Sequence, residues 1–299
     1  MAYLWLPFLG FLWTAVAVIV ANARQKGISV FHFYMSGSLF SFLIFLGLNL
    51  FLGLDDILSP AKRQAVLIFM LGSLLNGLGQ SLVMYNMKKG GRALAFAIPQ
   101  LAFILPYTWS ILFWGEKFSL AGGTGLICIT AAICFLAMKK SDTAAGNVSS
   151  SLDFKRILLS FAAMLIIGSG HIGMSLPTQL PPENRLPVLN GAMVMVGTAT
   201  LFFLIAALLT RMDFAAEVKK SWKYSLAWGI GAVVSNGVML YTLELMGRYN
   251  KAGIVFPISC CTLIMMFTIY AAWRFRERLS VSQVAAFAAI IAGILLVKM

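Results

Sequence analysis

The chain has 299 residues, of which 60% are hydrophobic and 11% are charged, and its mean hydropathy is +0.89. Soluble domains carry about 25% charged residues, so this composition excludes a soluble globular protein. Long apolar runs such as Ala192–Leu209 also exclude a membrane β-barrel, whose strands alternate apolar and polar residues over about 10 positions. We therefore expect an all-α membrane protein.

The formal net charge is +13, from 23 Lys and Arg against 10 Asp and Glu. These cations lie in the short segments between apolar runs, which is typical of the positive-inside bias rather than of a nucleic-acid surface. All 4 cysteines fall within apolar runs, so neither a disulfide framework nor a metal site is indicated. We expect no nucleic-acid partner, no metal and no cofactor.

Ten segments are long and apolar enough to cross a bilayer as helices, which takes about 20 residues each. In chain order the predicted spans are Leu4–Asn22, Phe31–Leu54, Ala65–Met87, Ala93–Trp114, Leu120–Met138, Ile157–Leu176, Pro187–Leu209, Tyr224–Met246, Ala252–Trp273 and Val281–Val297. The first span ends in Ala21-Asn22-Ala23, which is similar to a signal-peptide cleavage site. Because Met1–Pro7 contains no basic residue, we expect this span to be retained.

The ten spans form two sets of five with matching features. Each set has an Asn-Gly pair in its third span, a proline that we expect to break the helix of its fourth, and a Glu-(Lys/Arg)-x-Ser turn after that: Asn76-Gly77, Pro99 and Glu116–Ser119, then Asn236-Gly237, Pro257 and Glu277–Ser280. A repeat with an odd number of spans must insert upside down relative to its partner. We predict two inverted five-helix repeats, residues 1–138 and 157–299, joined by a polar linker at 139–156.

The positive charges are unequally divided between the two sides. With each Lys and Arg assigned to its nearest loop or terminus, 7 lie on the side of the amino terminus and 16 on the other. Because cytoplasmic loops carry the excess of Lys and Arg, we expect both termini to be extracytoplasmic and the 139–156 linker to be cytoplasmic. The predicted location is the cell (inner) membrane, crossed many times.

All ten acids lie in loops or within about a turn of a span end, so no carboxylate is predicted at the midplane. Since buried acids mark ion-coupled pumps, this favours an electrically neutral solute. His171 is flanked by Gly168, Gly170 and Gly173 in the sixth span. Two interpretations of it stay open: a solute-binding, proton-coupling group, or a structural histidine bonded to a carbonyl of a neighbouring helix.

Amide side chains occur near mid-depth in both predicted repeats. Asn76 and Asn236 each lie about twelve residues into their spans, Gln80 shares a helix face with Asn76, and Gln100 follows Pro99. Amides offer both donors and acceptors, which sugars, polyols and zwitterions require, although interhelical bonding is the alternative role. With two deep aromatics that could stack on a solute, the predicted substrate-binding residues are Trp13, Asn76, Gln80, Gln100, His171, Asn236 and Tyr241.

Spans five and ten are rich in small residues, including Gly122, Gly125, Ala288 and Gly293. Such residues allow close helix packing, either within one chain or at a homodimer contact. No phosphate-binding loop, metal spacing or catalytic triad is present, so we do not expect an enzyme.

The chain resembles the drug/metabolite transporter superfamily, with its EamA-like domains. The resemblance rests on the ten-span plan and on the turns Gly115–Ser119 and Arg276–Ser280, each followed by a small-residue helix; Arg276 stands where a glycine is usual. Leu71–Gln80, Met84–Gly91 and Gly168–Leu176 are most similar to the sugar-uptake branch that includes rhamnose–proton symporters and glucose/ribose carriers. The resemblance implies alternating access around a central cavity lined by spans one, three, four, six, eight and nine.

Three hypotheses for function follow. The first is a secondary transporter that takes up a small neutral polar solute such as a sugar, with His171 as the candidate group for proton coupling. The second is export of amino acids or related small metabolites through the same cavity. The third, from another class, is a membrane receptor or scaffold that transports nothing.

Overall fold

The computed structural model of the chain describes residues 2–52, 57, 59–88, 98–117, 119–143, 154–210, 212–275 and 281–298. All regular secondary structure among these residues is helical. The α-helices with described bounds are α1 (Trp5–Gln25), α2 (Val30–Leu52), α3 (Arg63–Lys88), α4 (Ile104–Phe113), α5 (Leu120–Thr143), α6 (Phe154–Ser175), α7 (Val188–Leu208), α8 (Phe214–Gly247), α9 (Val255–Phe275) and α10 (Val281–Lys298). Short 3-10 turns flank them at Ala2–Leu4, Leu101–Phe103, Leu176–Gln179, Pro182–Asn184 and Ala252–Ile254.

Within this part of the chain, 7 helical segments are long and apolar enough to cross a membrane. They are Ala2–Gln25, Val30–Leu52, Arg63–Asn86, Phe154–Gln179, Val188–Leu208, Phe214–Gly247 and Ala252–Arg274. Three shorter apolar helices are Ile98–Phe113, Leu120–Phe135 and Val281–Val297. The predicted class of α-helical membrane protein is confirmed at this level.

Two helices, α8 and α5, extend furthest beyond their predicted spans. The α8 helix has 34 residues and begins at Phe214, well before Tyr224, because the Asp213 side chain accepts a hydrogen bond from the Ala216 backbone N–H (3.1 Å) and caps its first turn. The α5 helix runs on to Thr143, into the predicted linker. Residues 144–153 of that linker, the predicted turn 276–280 and the first part of predicted span four lie outside the described residues.

Contacts at the start of α1 fix its direction relative to α9. The Ser259 hydroxyl donates to the Leu6 carbonyl (2.9 Å), and a Cβ added to Gly10 would lie 2.5 Å from the Thr262 Cβ. Leu6 contacts Ser259, and the later residue Gly10 contacts the later residue Thr262, so α1 and α9 run parallel. We call the face of the protein where these two helices begin the amino-terminal face.

The main helix contacts of the first five helices match those of the last five. If each helix number in one of these contacting pairs is raised or lowered by five, the result is again a contacting pair. Contacting pairs that exchange in this way are α1–α8 with α3–α6, α1–α9 with α4–α6, and α2–α8 with α3–α7, while α2–α7 and α5–α10 map onto themselves. The close contacts recur too: a Cβ on Gly168 would meet the Ala102 carbonyl and the Leu105 Cβ of α4, as one on Gly10 would meet α9.

Buried amides join several of these helices. The Asn49 side chain of α2 donates to the Leu189 carbonyl of α7 (3.4 Å), and the Asn86 side chain of α3 donates to the Ser160 hydroxyl of α6 (2.8 Å). Such bonds satisfy polar groups that lipid cannot. Asn49 and Asn86 therefore hold neighbouring helices together.

The small residues of α5 and α10 pack against each other within the chain. A Cβ on Gly125 would lie 2.5 Å from the Gly293 carbonyl oxygen, and a Cβ on Gly293 would lie 2.7 Å from the Gly125 carbonyl oxygen. Both glycines are therefore required by an intramolecular helix contact. A homodimer contact through the same two helices stays a prediction.

Candidate solute site

Three helices meet at the phenyl ring of Phe256, which is fully buried in the first turn of α9. The His171 imidazole of α6 stacks on this ring, with 4.3 Å between centroids and 10° between planes. The Trp13 indole of α1 stacks on it as well, with 6.3 Å between centroids and 25° between planes. We call Trp13, Phe256 and His171 the aromatic stack; it brings together two of the predicted site residues.

The crossing of α3 and α6 places a third predicted residue, Asn76, next to the residue that precedes His171. A Cβ on Gly170 would lie 2.9 Å from both the Asn76 backbone nitrogen and the Gly72 carbonyl oxygen, so the two helix backbones touch and only glycine fits there. Asn76 thus lies opposite the residue that precedes His171. The structure brings Asn76 and His171 to one helix crossing, as a shared site requires.

Both of these side chains carry a buried polar atom with no partner. Asn76 Oδ1 and His171 Nδ1 are buried and make no hydrogen bond to any described residue. Unpaired polar groups in a low-dielectric interior are costly, and a ligand or water is the usual partner. Buried side-chain atoms in the same state elsewhere among the described residues are His32 Nε2, Ser36 Oγ, Trp109 Nε1, Asn190 Nδ2 and Trp228 Nε1.

The two predicted glutamines flank this region. Gln80 is half-buried one turn beyond Asn76 on α3, and Gln100 is half-buried just before the 3-10 turn Leu101–Phe103. That turn follows Pro99 and carries the Ala102 carbonyl that lies against Gly168 of α6. Gln100 is therefore held on the α4 side of α6.

The expected matching break at Pro257 in span nine is wrong. Pro257 lies in the first turn of α9, which continues without interruption from Val255 to Phe275. A proline costs no hydrogen bond in a first turn, because the N–H it lacks would have no intrahelical partner. The irregular backbone instead precedes this helix, at Ala252–Ile254.

The remaining two predicted residues are not brought to the aromatic stack by any described contact. Asn236 is half-buried on α8, beside Gly237, where an added Cβ would meet no described atom within 4 Å. Tyr241 is 44% exposed, and its ring packs edge-on against Trp5 with 5.2 Å between centroids. Open space next to Asn236 leaves room for a ligand, whereas Tyr241 belongs to an aromatic pair near the amino-terminal face.

Sequence reasoning missed Phe256 altogether. A phenylalanine in an apolar helix gives no sequence signal of a site, since most such residues pack in cores or face lipid. Its neighbour Pro257 drew attention only as a helix break. The stacking partners Trp13 and His171 were identified, but the ring that joins them was not.

A carboxylate lies at the amino-terminal face, outside the membrane-spanning helices. Glu116 is only 8% exposed, and its Oε1 accepts a hydrogen bond from the Gly253 backbone N–H (2.8 Å) just before α9. Burial raises the pKa of Glu116, although hydrogen bonds from Gly253, Ser110 and Ala252 and the charge of Lys251 act in the opposite direction. The sequence places this glutamate in a turn after predicted span four and gives no sign of its burial.

A shallow apolar groove of about 360 Å³ lies along the surface between α1 and α9. Its walls include Phe11, Thr14 and Val18 of α1 and Met266, Tyr270 and Trp273 of α9. None of the predicted site residues lines it, and its surface does not suit a polar solute.

Comparison with known proteins finds a solved structure of similar fold. No protein-family model matches the chain, and no curated protein matches it. A protein solved by crystallography, described only as a protein, has a similar fold, with a TM-score of 0.73 over 100% of this chain and 98% of that chain. The two sequences are 19% identical, so the likeness shows the fold alone. The class of α-helical membrane protein rests on the apolar helices of the chain itself.

Proposed function

We propose that this protein is a secondary transporter that moves a small neutral polar solute, such as a sugar, across the cytoplasmic membrane by alternating access. The observation that carries the proposal is the pair of buried, unpartnered atoms Asn76 Oδ1 and His171 Nδ1 on the two helices that cross at Gly170, where His171 also stacks on Phe256. Asn49 and Asn86 have interhelical partners, whereas Asn76 and Asn190 each keep a buried amide atom without one, so the missing partner of Asn76 is not a general property of amides in these helices.

The chemistry of these groups fits a polyhydroxy solute. A sugar hydroxyl both donates and accepts, so it can donate to Asn76 Oδ1 and bond His171 in either tautomer. The faces of Trp13 and Phe256 offer an apolar surface to the C–H side of a sugar ring. Every acid among the described residues lies in a turn, at a cap or within the first or last turn of a helix, which supports an uncharged solute.

The packing pattern supports two inverted five-helix repeats. The α3 and α6 helices run antiparallel, since Gly72 lies against Gly173 while Gly79 lies against Ala163. The pairs α1–α8 and α3–α6 correspond under the shift of five, as they must if the halves are related by an axis in the membrane plane. We extend the proposal to membership of the drug/metabolite transporter superfamily, on the sequence resemblance together with this arrangement.

Contacts between the two sets of five helices at the amino-terminal face support alternating access. There Ser259 of α9 donates to the Leu6 carbonyl of α1, and the Gly253 N–H before α9 donates to Glu116 after α4. Rocking of one set against the other would break these contacts and open this face. In the proposed topology the amino-terminal face is extracytoplasmic, so the state described is closed to the outside.

Two experiments test the proposal. In a thermal-shift screen, the true solute raises the melting temperature by mass action, whichever way it is transported. In proteoliposomes, counterflow of labelled sugars is then expected, while labelled amino acids give none. Counterflow of amino acids alone would support the exporter, and no flux of any solute by folded protein would support the receptor or scaffold.

A further inference from the structure

One carboxylate ties the end of α4 to the beginning of α9. Glu116 follows α4 in the chain, and its Oε1 accepts the Gly253 N–H at 2.8 Å. The contact is tight, because a Cβ added to Gly253 would overlap the Ser110 hydroxyl and lie 2.9 Å from Glu116 Oε2. Glu183, in a 3-10 turn at the same face, is exposed.

This junction crosses between the two sets of five helices. The α4 helix belongs to the first set and α9 to the second, so any opening of the amino-terminal face between them must break the Glu116–Gly253 bond. Opening would also return the carboxyl group of Glu116 to water. The burial and hydrogen bonding of the Glu116 carboxyl group therefore depend on whether the amino-terminal face is open or closed.

We propose that Glu116 is a proton-binding latch, whose carboxyl group closes the amino-terminal face against Gly253 and takes up a proton from solvent as it closes. The inference rests on the proposed alternating access. In the closed state the added proton forms one O–H bond on Oε2, and no other covalent bond changes. The neutral carboxyl still accepts from Gly253 through Oε1, and its O–H can donate to the Ser110 hydroxyl, which also contacts Gly253.

The sign of the pH dependence follows from burial. Burial raises the pKa of Glu116 in the closed state, and exposure to water in the open state brings it back toward the ordinary value of a glutamate. The closed state therefore binds the proton more tightly, so low pH favours closure and rising pH favours opening. The titratable groups that face Glu116 are Tyr107 of α4 and Lys251 before α9, and the positive charge of Lys251 opposes proton uptake.

Hydrogen–deuterium exchange of the peptide that contains Gly253 tests the latch, because this amide is the donor in the bond. Protection is measured across pH 5 to 9 and corrected for intrinsic exchange. In the wild type we expect protection to fall as pH rises, in one transition above the ordinary glutamate pKa. Glu116→Gln, which keeps an acceptor and a donor without charge, should stay protected at every pH, and Glu116→Ala should exchange about tenfold faster at every pH.

Matched variants separate a proton latch from a merely structural bond. Glu183→Gln, an exposed glutamate of the same face, should keep the wild-type profile. Lys251→Met should move the transition to higher pH, because it removes the charge that stabilises the ionised carboxylate. A wild-type pH profile in Glu116→Gln, or full protection in Glu116→Ala, would overturn the proposal.

The exchange measurement requires no solute, so it separates this inference from the proposed function. The expected pH profile in a protein that shows no flux of any solute would support the latch and contradict transport. Proton-dependent flux with a flat exchange profile at Gly253 would support transport and contradict the latch.

Discussion

The His171 imidazole lies face to face with the Phe256 ring, at 4.3 Å between centroids and 10° between planes. Its orientation is thus set by an aromatic contact rather than by a hydrogen bond from its buried Nδ1. A polar group held in place by stacking keeps its nitrogens available for another molecule. This distinguishes His171 from a histidine that is bonded to a neighbouring carbonyl at that nitrogen.

Phe256→Ala should destabilise the protein, because it empties the place where α1, α6 and α9 meet. Phe256 is fully buried, and truncation of a buried phenylalanine costs about 3–5 kcal/mol. The measurement is the free energy of unfolding in detergent. Phe51→Ala is the control, since Phe51 is 87% exposed on α2 and should change stability little. Equal losses in both variants would mean that the stack does not hold these helices together.

Asn76→Ala and Asn49→Ala should have opposite effects on solute binding and on stability. Asn49 donates to the Phe45 and Leu189 carbonyls, so its loss should lower stability and leave solute affinity unchanged. Asn76 Oδ1 has no partner among the described residues, so its loss should weaken solute affinity by about 1–3 kcal/mol with little change in stability. Titration calorimetry and thermal unfolding of both variants check this. Wild-type solute affinity in Asn76→Ala would make Asn76 a structural amide.

Gly170→Ala should separate α3 from α6. The added Cβ would lie 2.9 Å from the Asn76 nitrogen and the Gly72 carbonyl oxygen, both rigid backbone atoms, so the helices must move apart. We expect lower stability and weaker solute binding together, measured by thermal shift with and without solute. Gly47→Ala is the control, because a Cβ there meets nothing within 4 Å and replaces a helical glycine, which should stabilise by about 0.5–1 kcal/mol. If Gly170→Ala behaves like Gly47→Ala, the crossing is not tight.

The membrane class and most helices could be predicted because apolar length is a local property of the sequence. The start of α8 at Phe214 could not be predicted from hydropathy, since it is set by the Asp213 cap in a polar segment. The Pro257 break was wrong for a related reason: hydropathy does not show that a proline falls in a first turn, where it interrupts nothing.

Only the polar residues of the candidate site could be predicted from the sequence. Asn76 and His171 stand out because polar groups are rare in apolar spans, and the structure brings them to one crossing. Phe256 has no such signal, and the pairing of Tyr241 with Trp5 depends on how α8 meets α1. Side-chain partners across helices follow from packing, which a single sequence does not specify.

His171→Ala separates binding from proton coupling. In proteoliposomes with an inward proton gradient, we expect the variant to lose accumulation of the solute while solute exchange across the membrane persists. The reason is that exchange needs only the cavity, whereas accumulation needs a group that carries a proton along with the solute. Exchange at the Gly253 peptide should keep its wild-type pH profile in this variant, because Glu116 is unchanged. Unchanged accumulation would remove His171 from the coupling role and leave it a solute contact, and loss of exchange as well would mean that the histidine is needed for binding itself.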